Sequence, residues 1–126
     1  MDDRINVLSG QILGAAIAVH QELGPGLLES IYQRCLALEL ASRGLRVETE
    51  VPVAVRFKQQ CIADDGFRLD LLVEETVVVE LKSVQTLLDV HKKQLLTYLR
   101  LSGKPLGLLI NFNVALLKNG IVRIAN

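Results

Sequence analysis

Aromatic residues are scarce in this chain, and neither sign of charge is in excess. Its 126 residues include no Trp, two Tyr and three Phe, and 14 Lys and Arg balance 14 Asp and Glu. Net charge therefore gives no support for nucleic-acid binding, which a basic excess would favour. No apolar run has the length of a membrane span, because Gln11, His20 and Glu22 interrupt the richest one. The composition predicts a protein without a transmembrane segment.

Cysteine is also rare, since Cys35 and Cys61 stand alone without the short spacing of a metal site. Two thiolates within one chain cannot supply the four ligands of an ordinary iron–sulfur cluster. The first residues, Met-Asp-Asp-Arg, lack the basic start and the apolar block of a signal peptide. We therefore expect reduced thiols, a cytoplasmic location and no membrane partner.

Hydrophobic residues, in contrast, make up 50% of the chain. That fraction is high for a small domain, and it indicates either a buried central sheet or the interface of a homo-oligomer. A length of 126 residues suits one domain with one core. We expect a single domain over residues 1–126.

Hydrophobic periodicity predicts a mixture of helices and strands. Helices are expected over residues 4–23, 27–43 and 89–102, strands over 46–57 and 106–112, and hairpins over 66–82 and 116–124. The crossover through helix 89–102 predicts a parallel strand pair in the sheet. The predicted fold class is therefore α/β, with a central mixed sheet flanked by helices.

The first hairpin carries the most informative residues. Alternation assigns Phe67, Leu69, Leu71 and Val73 to one face of its first strand. A three-residue loop over 74–76 would pair Leu71 with Val79, and the same register sets Asp70 opposite Glu80. Two carboxylates held together on a strand pair repel each other and favour a compensating cation, for which a divalent metal with oxygen ligands is suited.

A cross-strand salt bridge is the alternative interpretation of these charges. A register shifted by two would set Asp70 opposite Lys82, and Arg68 could likewise face Glu80. In the unshifted register, Lys82 shares a strand face with Glu80 and could contact a phosphate. The hairpin alone leaves both interpretations open.

The second predicted helix contributes a further acid, Glu29. A helical wheel assigns Leu27, Leu28, Ile31, Cys35 and Leu38 to the core face. It places Glu29 in a different strip, with Tyr32, Gln33, Leu36 and Leu40, where a carboxylate would be half-buried and in need of a partner. The alternative is an acid in the first helical turn that the helix dipole favours.

The third predicted helix has a polar strip of His91, Gln94 and Tyr98, flanked by Lys92 and Lys93. This strip is either a solvated helix edge or an edge that contacts a substrate. His20, near the end of the first helix, is expected to be a packing or capping residue rather than a metal ligand.

Several of these residues carry a resemblance to a known family. The segment Gly26-Leu-Leu-Glu-Ser-Ile-Tyr32 resembles the signature of the small bacterial GxxExxY proteins, and the similarity extends from about Ile12 to Phe112. Those proteins resemble the PD-(D/E)xK nuclease-like superfamily, which implies a restriction-endonuclease-like core. The segment from Gln94 to Tyr98 is similar to the Gln-x-x-x-Tyr element of nucleases fused to recombination helicases.

The resemblance implies a nuclease that depends on Mg2+ or Mn2+ and hydrolyses phosphodiester bonds of nucleic acid, with DNA as the expected substrate. The implied catalytic residues are Glu29, Asp70, Glu80 and Lys82, and the implied metal ligands are Asp70, Glu80, Glu29 and the carbonyl of Leu81. The implied substrate contacts are Gln94, Tyr98, Lys92, Lys93 and Tyr32. The alternative is a catalytically silent binding or oligomeric partner module that retains the nuclease-like fold, because a fold does not establish activity.

Overall fold

A five-stranded mixed sheet with helices on both faces organises residues 2–126, the part of the chain that the computed structural model describes. In chain order the elements are α1 (Asp3–Leu23), α2 (Glu29–Ser42), β1 (Val47–Phe57), β2 (Gln60–Val73), β3 (Val77–Lys82), α3 (Asp89–Ser102), β4 (Leu106–Asn111), a 3-10 helix (Leu117–Gly120) and β5 (Ile121–Ala125). The strands are neighbours in chain order. All adjacent pairs are antiparallel except β3 and β4, which are parallel. The predicted α/β class and the parallel pair are confirmed.

Each face of the sheet has its own hydrophobic core. Helices α1 and α2 cover one face, where they pack on Val77, Val79 and Leu81 of β3. Helix α3 covers the other face through Leu95 and Leu99, which pack with Leu69, Leu72, Val78 and Leu109. Gly107 of β4 lies directly under α3, because a Cβ there would be 2.9 Å from Leu95. The sheet is thus the middle layer of three, and its strands read as apolar on both sides.

Helix α2 is rotated from the orientation that the helical wheel predicts. Its buried residues are Tyr32, Leu36 and Leu40, which belong to the same strip as Glu29. Leu28 and Leu38, assigned to the core from sequence, are each 73% exposed. Both strips are apolar, so periodicity could not tell which of them faces the sheet. The correction matters for the site, because it puts Glu29 at the end of the strip that packs on the sheet.

Strand β2 changes the face that it buries. Leu71 and Val73 pack beneath α1 and α2, whereas Phe67 and Leu69 pack on the α3 side. The prediction that all four share one face is therefore wrong. The change falls between Leu69 and Leu71, so it centres on Asp70, where regular alternation is interrupted.

The C-terminal hairpin predicted over residues 116–124 is also wrong. Asn119 and Gly120 end the 3-10 helix, and β5 pairs with β4 instead. Gly120 does not have the positive φ that a type I′ hairpin turn needs. A Cβ at Gly120 would lie 2.2 Å from the carbonyl oxygen of Asn111, so close packing, and not turn geometry, explains this glycine.

Other expectations from composition agree with the structure. Cys35 and Cys61 are free thiols. His20 is buried, and its Nε2 lies 2.8 Å from the carbonyl oxygen of Val114, as expected for a packing residue. Among residues 2–126, no helix combines the length and the apolar character that crossing a membrane requires.

Candidate active site

The candidate site forms where β2 and β3 separate. The predicted register is confirmed, since Leu71 pairs with Val79 and Val73 with Val77. The ladder ends at Leu71, one residue short of Asp70. From that point side chains supply the bonds between the strands. The N–H of Asp70 donates to Glu80 Oε2 at 2.7 Å, and the N–H of Leu81 donates to Asp70 Oδ2 at 2.9 Å.

This reciprocal arrangement holds both carboxylates in the cleft between the strands. Each accepts a hydrogen bond from the other strand, so neither side chain can turn away without leaving a backbone N–H unpaired. Glu80 is buried, with 9% of its surface exposed, and Asp70 is half-buried. The structure therefore brings Asp70 and Glu80 together in a partly water-excluded place.

Burial and crowding disturb the ionisation of this pair. Burial is the largest cause and the negative charge of Asp70 the second, and together they raise the pKa of Glu80 to about 8. Burial also raises the pKa of Asp70, while the hydrogen bond from the Leu81 N–H opposes that rise. The charge of Lys82 lowers the pKa of both carboxyl groups. Two raised carboxyl pKa values in one cleft are typical of a functional site.

The salt-bridge interpretation of the hairpin is wrong. Among residues 2–126, neither Asp70, Glu80 nor Lys82 forms an ion pair. Arg68 pairs with Asp65 instead, at 2.7 Å. The ammonium group of Lys82 therefore stays close enough to act electrostatically on both carboxylates, but it is not used up in a salt bridge with either of them.

Backbone contacts fix the end of β3 that carries Lys82. The carbonyl of Lys82 accepts a hydrogen bond from the N–H of Phe112 at 2.9 Å. The buried amide of Asn111 holds the next segment, donating to the Val84 carbonyl at 2.9 Å and accepting from the Val84 N–H at 3.1 Å. Sequence reasoning missed this supporting role of Asn111, although a single amide at the end of a fully apolar strand was a usable signal.

Glu29 lies at the rim of the site and not between the strands. Its side chain is exposed, and its Oε2 is 3.4 Å from the N–H of Ser83, the residue after Lys82. The Ser83 hydroxyl donates to the carbonyl of Leu27 at 2.6 Å, which ties the start of α2 to the end of β3. The charge of Glu29 also contributes, as the smallest of the named causes, to the raised pKa of Asp70. Its predicted part in a metal shell stays a prediction.

Tyr32 cannot contact a substrate in this structure, so its prediction as a substrate-binding residue is corrected. Its side chain is fully buried and stacks on Phe112, with ring centroids 4.4 Å apart. The hydroxyl donates to the carbonyl of Gly24 and accepts from the N–H of Leu27. Tyr32 instead shapes the turn between α1 and α2, which positions Glu29.

Of the residues predicted on α3, Tyr98 is the one that the structure ties to the site. Its ring stacks on Phe67 at 4.1 Å between centroids. Burial raises the pKa of its hydroxyl, and the charges of Glu80 and Asp70 raise it further. Lys92, Lys93 and Gln94 are exposed at the surface of α3. Their contact with a substrate stays a prediction.

Strand β1 adds a carboxylate that sequence reasoning missed. The Gln33 amide of α2 donates to Glu50 Oε2 and to the carbonyl of Asp70, both at 3.3 Å. Glu50 looked like one of several exposed acids on an alternating strand. Its place beside Asp70 becomes visible only when the pairing of β1 with β2 is known.

The donor set is chemically suited to a hard divalent cation. Carboxylate oxygens are the ligands that Mg2+ and Mn2+ prefer, and a cation would relieve the repulsion between Asp70 and Glu80. Among residues 2–126, however, no group of three or more His, Cys, Asp or Glu is close enough to hold a metal ion. The two adjacent carboxylates therefore form the inner part of any such site, and other ligands must come from solvent, substrate or side-chain movement.

Comparison with known proteins agrees with this geometry. A sequence model of the PD-(D/E)XK nuclease superfamily matches residues 6–124. No curated protein and no solved structure gives a match. Nucleases of the superfamily generally depend on a divalent metal, and the mixed sheet with three helices is consistent with their restriction-endonuclease-like fold. The chain belongs to the PD-(D/E)XK nuclease superfamily.

Proposed function

We propose that the protein is a divalent-metal-dependent nuclease, one domain over residues 1–126, that hydrolyses phosphodiester bonds in DNA. The observation that carries this proposal is the pair of buried carboxylates, Asp70 and Glu80, held by each other's strands beside Lys82, which has no ion-pair partner among residues 2–126. Within the superfamily, Gly26, Glu29 and Tyr32 further support membership of the GxxExxY proteins.

Asp70 and Glu80 are the proposed inner ligands of Mg2+ or Mn2+, with Glu29 and the carbonyl of Leu81 as further donors. The ion, when bound, would polarise the scissile phosphate and lower the pKa of a coordinated water molecule. Lys82 would donate hydrogen bonds to the phosphate oxygens as negative charge develops in the transition state. Asp70 and Glu80 are ready for this role because backbone N–H groups already fix their orientation.

Helix α3 provides the proposed contacts with the substrate strand. Tyr98 lies close enough to the site to sense the charges of both carboxylates. Lys92 and Lys93, exposed on the same helix, would meet phosphates of the backbone, and Gln94 would help position the strand. A local basic edge of this kind needs no basic excess in the whole chain.

A catalytically silent binding or oligomeric module is the competing proposal. Large apolar side chains on the surface favour it, among them Leu28 and Leu38, each 73% exposed, and Val7, 63% exposed. A second copy of the chain could cover them. Activity and cation binding distinguish the two proposals, because a silent module has no need for the ion.

We expect Mg2+ or Mn2+ to stabilise the wild-type protein and Asp70→Asn to lose most of that gain. A cation present at ten times its dissociation constant adds about 1.4 kcal/mol of stability, or roughly 5 °C in melting temperature. The measurement is melting temperature across a cation titration, beside cleavage of single-stranded and double-stranded DNA and RNA. Equal stabilisation of wild type and variant would place the ion elsewhere, and no cleavage with any divalent ion would favour the silent module.

Substitutions on α3 should separate substrate binding from cation binding. We expect Gln94→Ala and Tyr98→Phe to raise KM several-fold with little change in the cation-induced melting shift, because neither residue is a proposed ligand. Tyr98→Phe keeps the ring that stacks on Phe67, so it removes the hydroxyl alone. A loss of cation stabilisation in either variant would contradict the role given to α3.

A further inference from the structure

Three acidic residues on three consecutive strands lie in one row across the sheet. The register of β1 with β2 pairs Thr49 with Leu71 and Val51 with Leu69. Glu50 and Asp70 are the residues between those pairs, so they lie side by side on neighbouring strands. Asp70 is in turn bonded across to Glu80 of β3. Glu50 is therefore next to the inner carboxylate pair.

The backbone at Glu50 has an uncommon conformation for a strand residue. Its φ is 52°, in the left-handed region that residues other than glycine seldom adopt. Val47 of the same strand packs beneath α1 and α2, whereas Val51 packs on the α3 side, so the buried face of β1 changes near Glu50. The matching change in β2 centres on Asp70. Such a conformation costs free energy and tends to persist where it serves a site.

A single side chain from α2 ties Glu50 to the site. The Gln33 Nε2 donates to Glu50 Oε2 and to the carbonyl of Asp70, at 3.3 Å each. Gln33 is half-buried, on the strip of α2 that faces the sheet. The amide thus joins the carboxylate of one strand to the backbone of the next, at the residue that carries the proposed metal ligand.

No cation compensates Glu50 among residues 2–126. The nearby guanidinium of Arg68 makes its ion pair with Asp65, at 2.7 Å, and not with Glu50. Burial is the main reason that the pKa values of Asp70 and Glu80 are raised, and the negative charge of Glu50 adds to both. Glu50 therefore acts on the inner pair as an added negative charge, which is unfavourable without a bound cation.

We infer that Glu50 is a third carboxylate of the cation site and that Gln33 is the positioning residue that holds it there. This inference rests on the proposed function. It assigns the two residues a common role, because Gln33 would act on the cation only through Glu50 and the strand of Asp70. A purely structural role would instead make Glu50 indifferent to the ion.

Binding of Mn2+ by calorimetry, with no nucleic acid present, tests the inference without depending on activity. We expect Glu50→Gln to weaken Mn2+ binding by about 10- to 100-fold, the range seen when groups supporting a metal site are removed. Glu48→Gln, two positions away on β1, is the matched control. It removes the same charge but lies opposite Leu72, so we expect a change of about threefold or less.

The double variant tests the positioning role of Gln33. Gln33→Ala should weaken Mn2+ binding in the wild type but add little in the Glu50→Gln background, since positioning through Glu50 then has nothing to position. Melting temperatures without the ion show whether each variant is folded. If Asp70→Asn abolishes Mn2+ binding while Glu50→Gln matches Glu48→Gln, the inference is overturned and the proposed function stands. If the wild type binds no divalent ion, both are overturned.

Discussion

Replacing Lys82 by Ala should lower the cleavage rate by about two to four orders of magnitude and leave cation binding nearly unchanged. An ammonium group cannot coordinate a cation, so its proposed work is limited to charge that develops on the phosphate. The structure supports a catalytic use of this group, because Lys82 makes no ion pair among residues 2–126 and the contact between its carbonyl and Phe112 N–H fixes its backbone. Single-turnover cleavage rates beside Mn2+ titrations measure the two effects separately.

A matched control for this prediction is Lys118→Ala. Lys118 is an exposed lysine of the 3-10 helix and has no place in the proposed site. It should cleave at the wild-type rate. A Lys82→Ala variant that cleaves as fast as Lys118→Ala would leave the family assignment intact but remove Lys82 from the reaction. A variant that loses cation binding as well would show that Lys82 supports the geometry of the carboxylates.

The hairpin shows how far sequence alone could go. A short loop and two apolar strands allow few registers, because a slip of one residue sends an apolar face to the wrong side. That constraint correctly paired Leu71 with Val79 and brought Asp70 to Glu80. It did not predict that the backbone ladder would stop at Leu71 and that the carboxylates would take over its hydrogen bonds. Side chains that replace a ladder leave no trace in periodicity.

The errors share a physical cause. Periodicity gives the strips of an element but not its rotation when two strips are apolar, as in α2, where Leu38 is exposed and Leu36 is buried. It also assumes unbroken alternation, which fails at Asp70 and near Glu50. Sequence reasoning is therefore weakest at the strand positions where the carboxylates gather. Conflict between local pattern and tertiary structure is expected at functional sites.

Contacts distant in sequence were the least predictable part of the site. Gln33 reaches Glu50 and Asp70 from another element, and Asn111 supports Val84 from the end of β4. Each interaction depends on the packing of a helix or on the register of a strand pair that sequence does not specify. Residues that act through a third element can be assigned only after the elements have been placed.

The cation-free protein should lose stability as the pH rises from about 5 to about 8, and Glu80→Gln should remove most of that loss. Burial, with the charge of Asp70, raises the pKa of Glu80 from 4.5 to about 8. Between those values the folded protein keeps a proton on Glu80 that the unfolded chain has released. The stabilisation is therefore complete below the unfolded pKa and is lost as the pH rises through about 8.

The expected effect is large because each unit of pKa shift corresponds to about 1.4 kcal/mol. Wild type and Glu80→Gln should be similarly stable near pH 5, whereas near pH 8 the variant should be more stable by several kcal/mol, measured by urea unfolding without divalent ions. Glu22→Gln, an exposed acid on α1, is the control and should run parallel to wild type. Saturating Mn2+ should reverse the wild-type trend, since the ion favours the ionised carboxylates. Parallel curves for wild type and Glu80→Gln in the absence of the ion would mean that Glu80 ionises normally in the folded protein, and that the cleft does not store the repulsion which a cation would relieve.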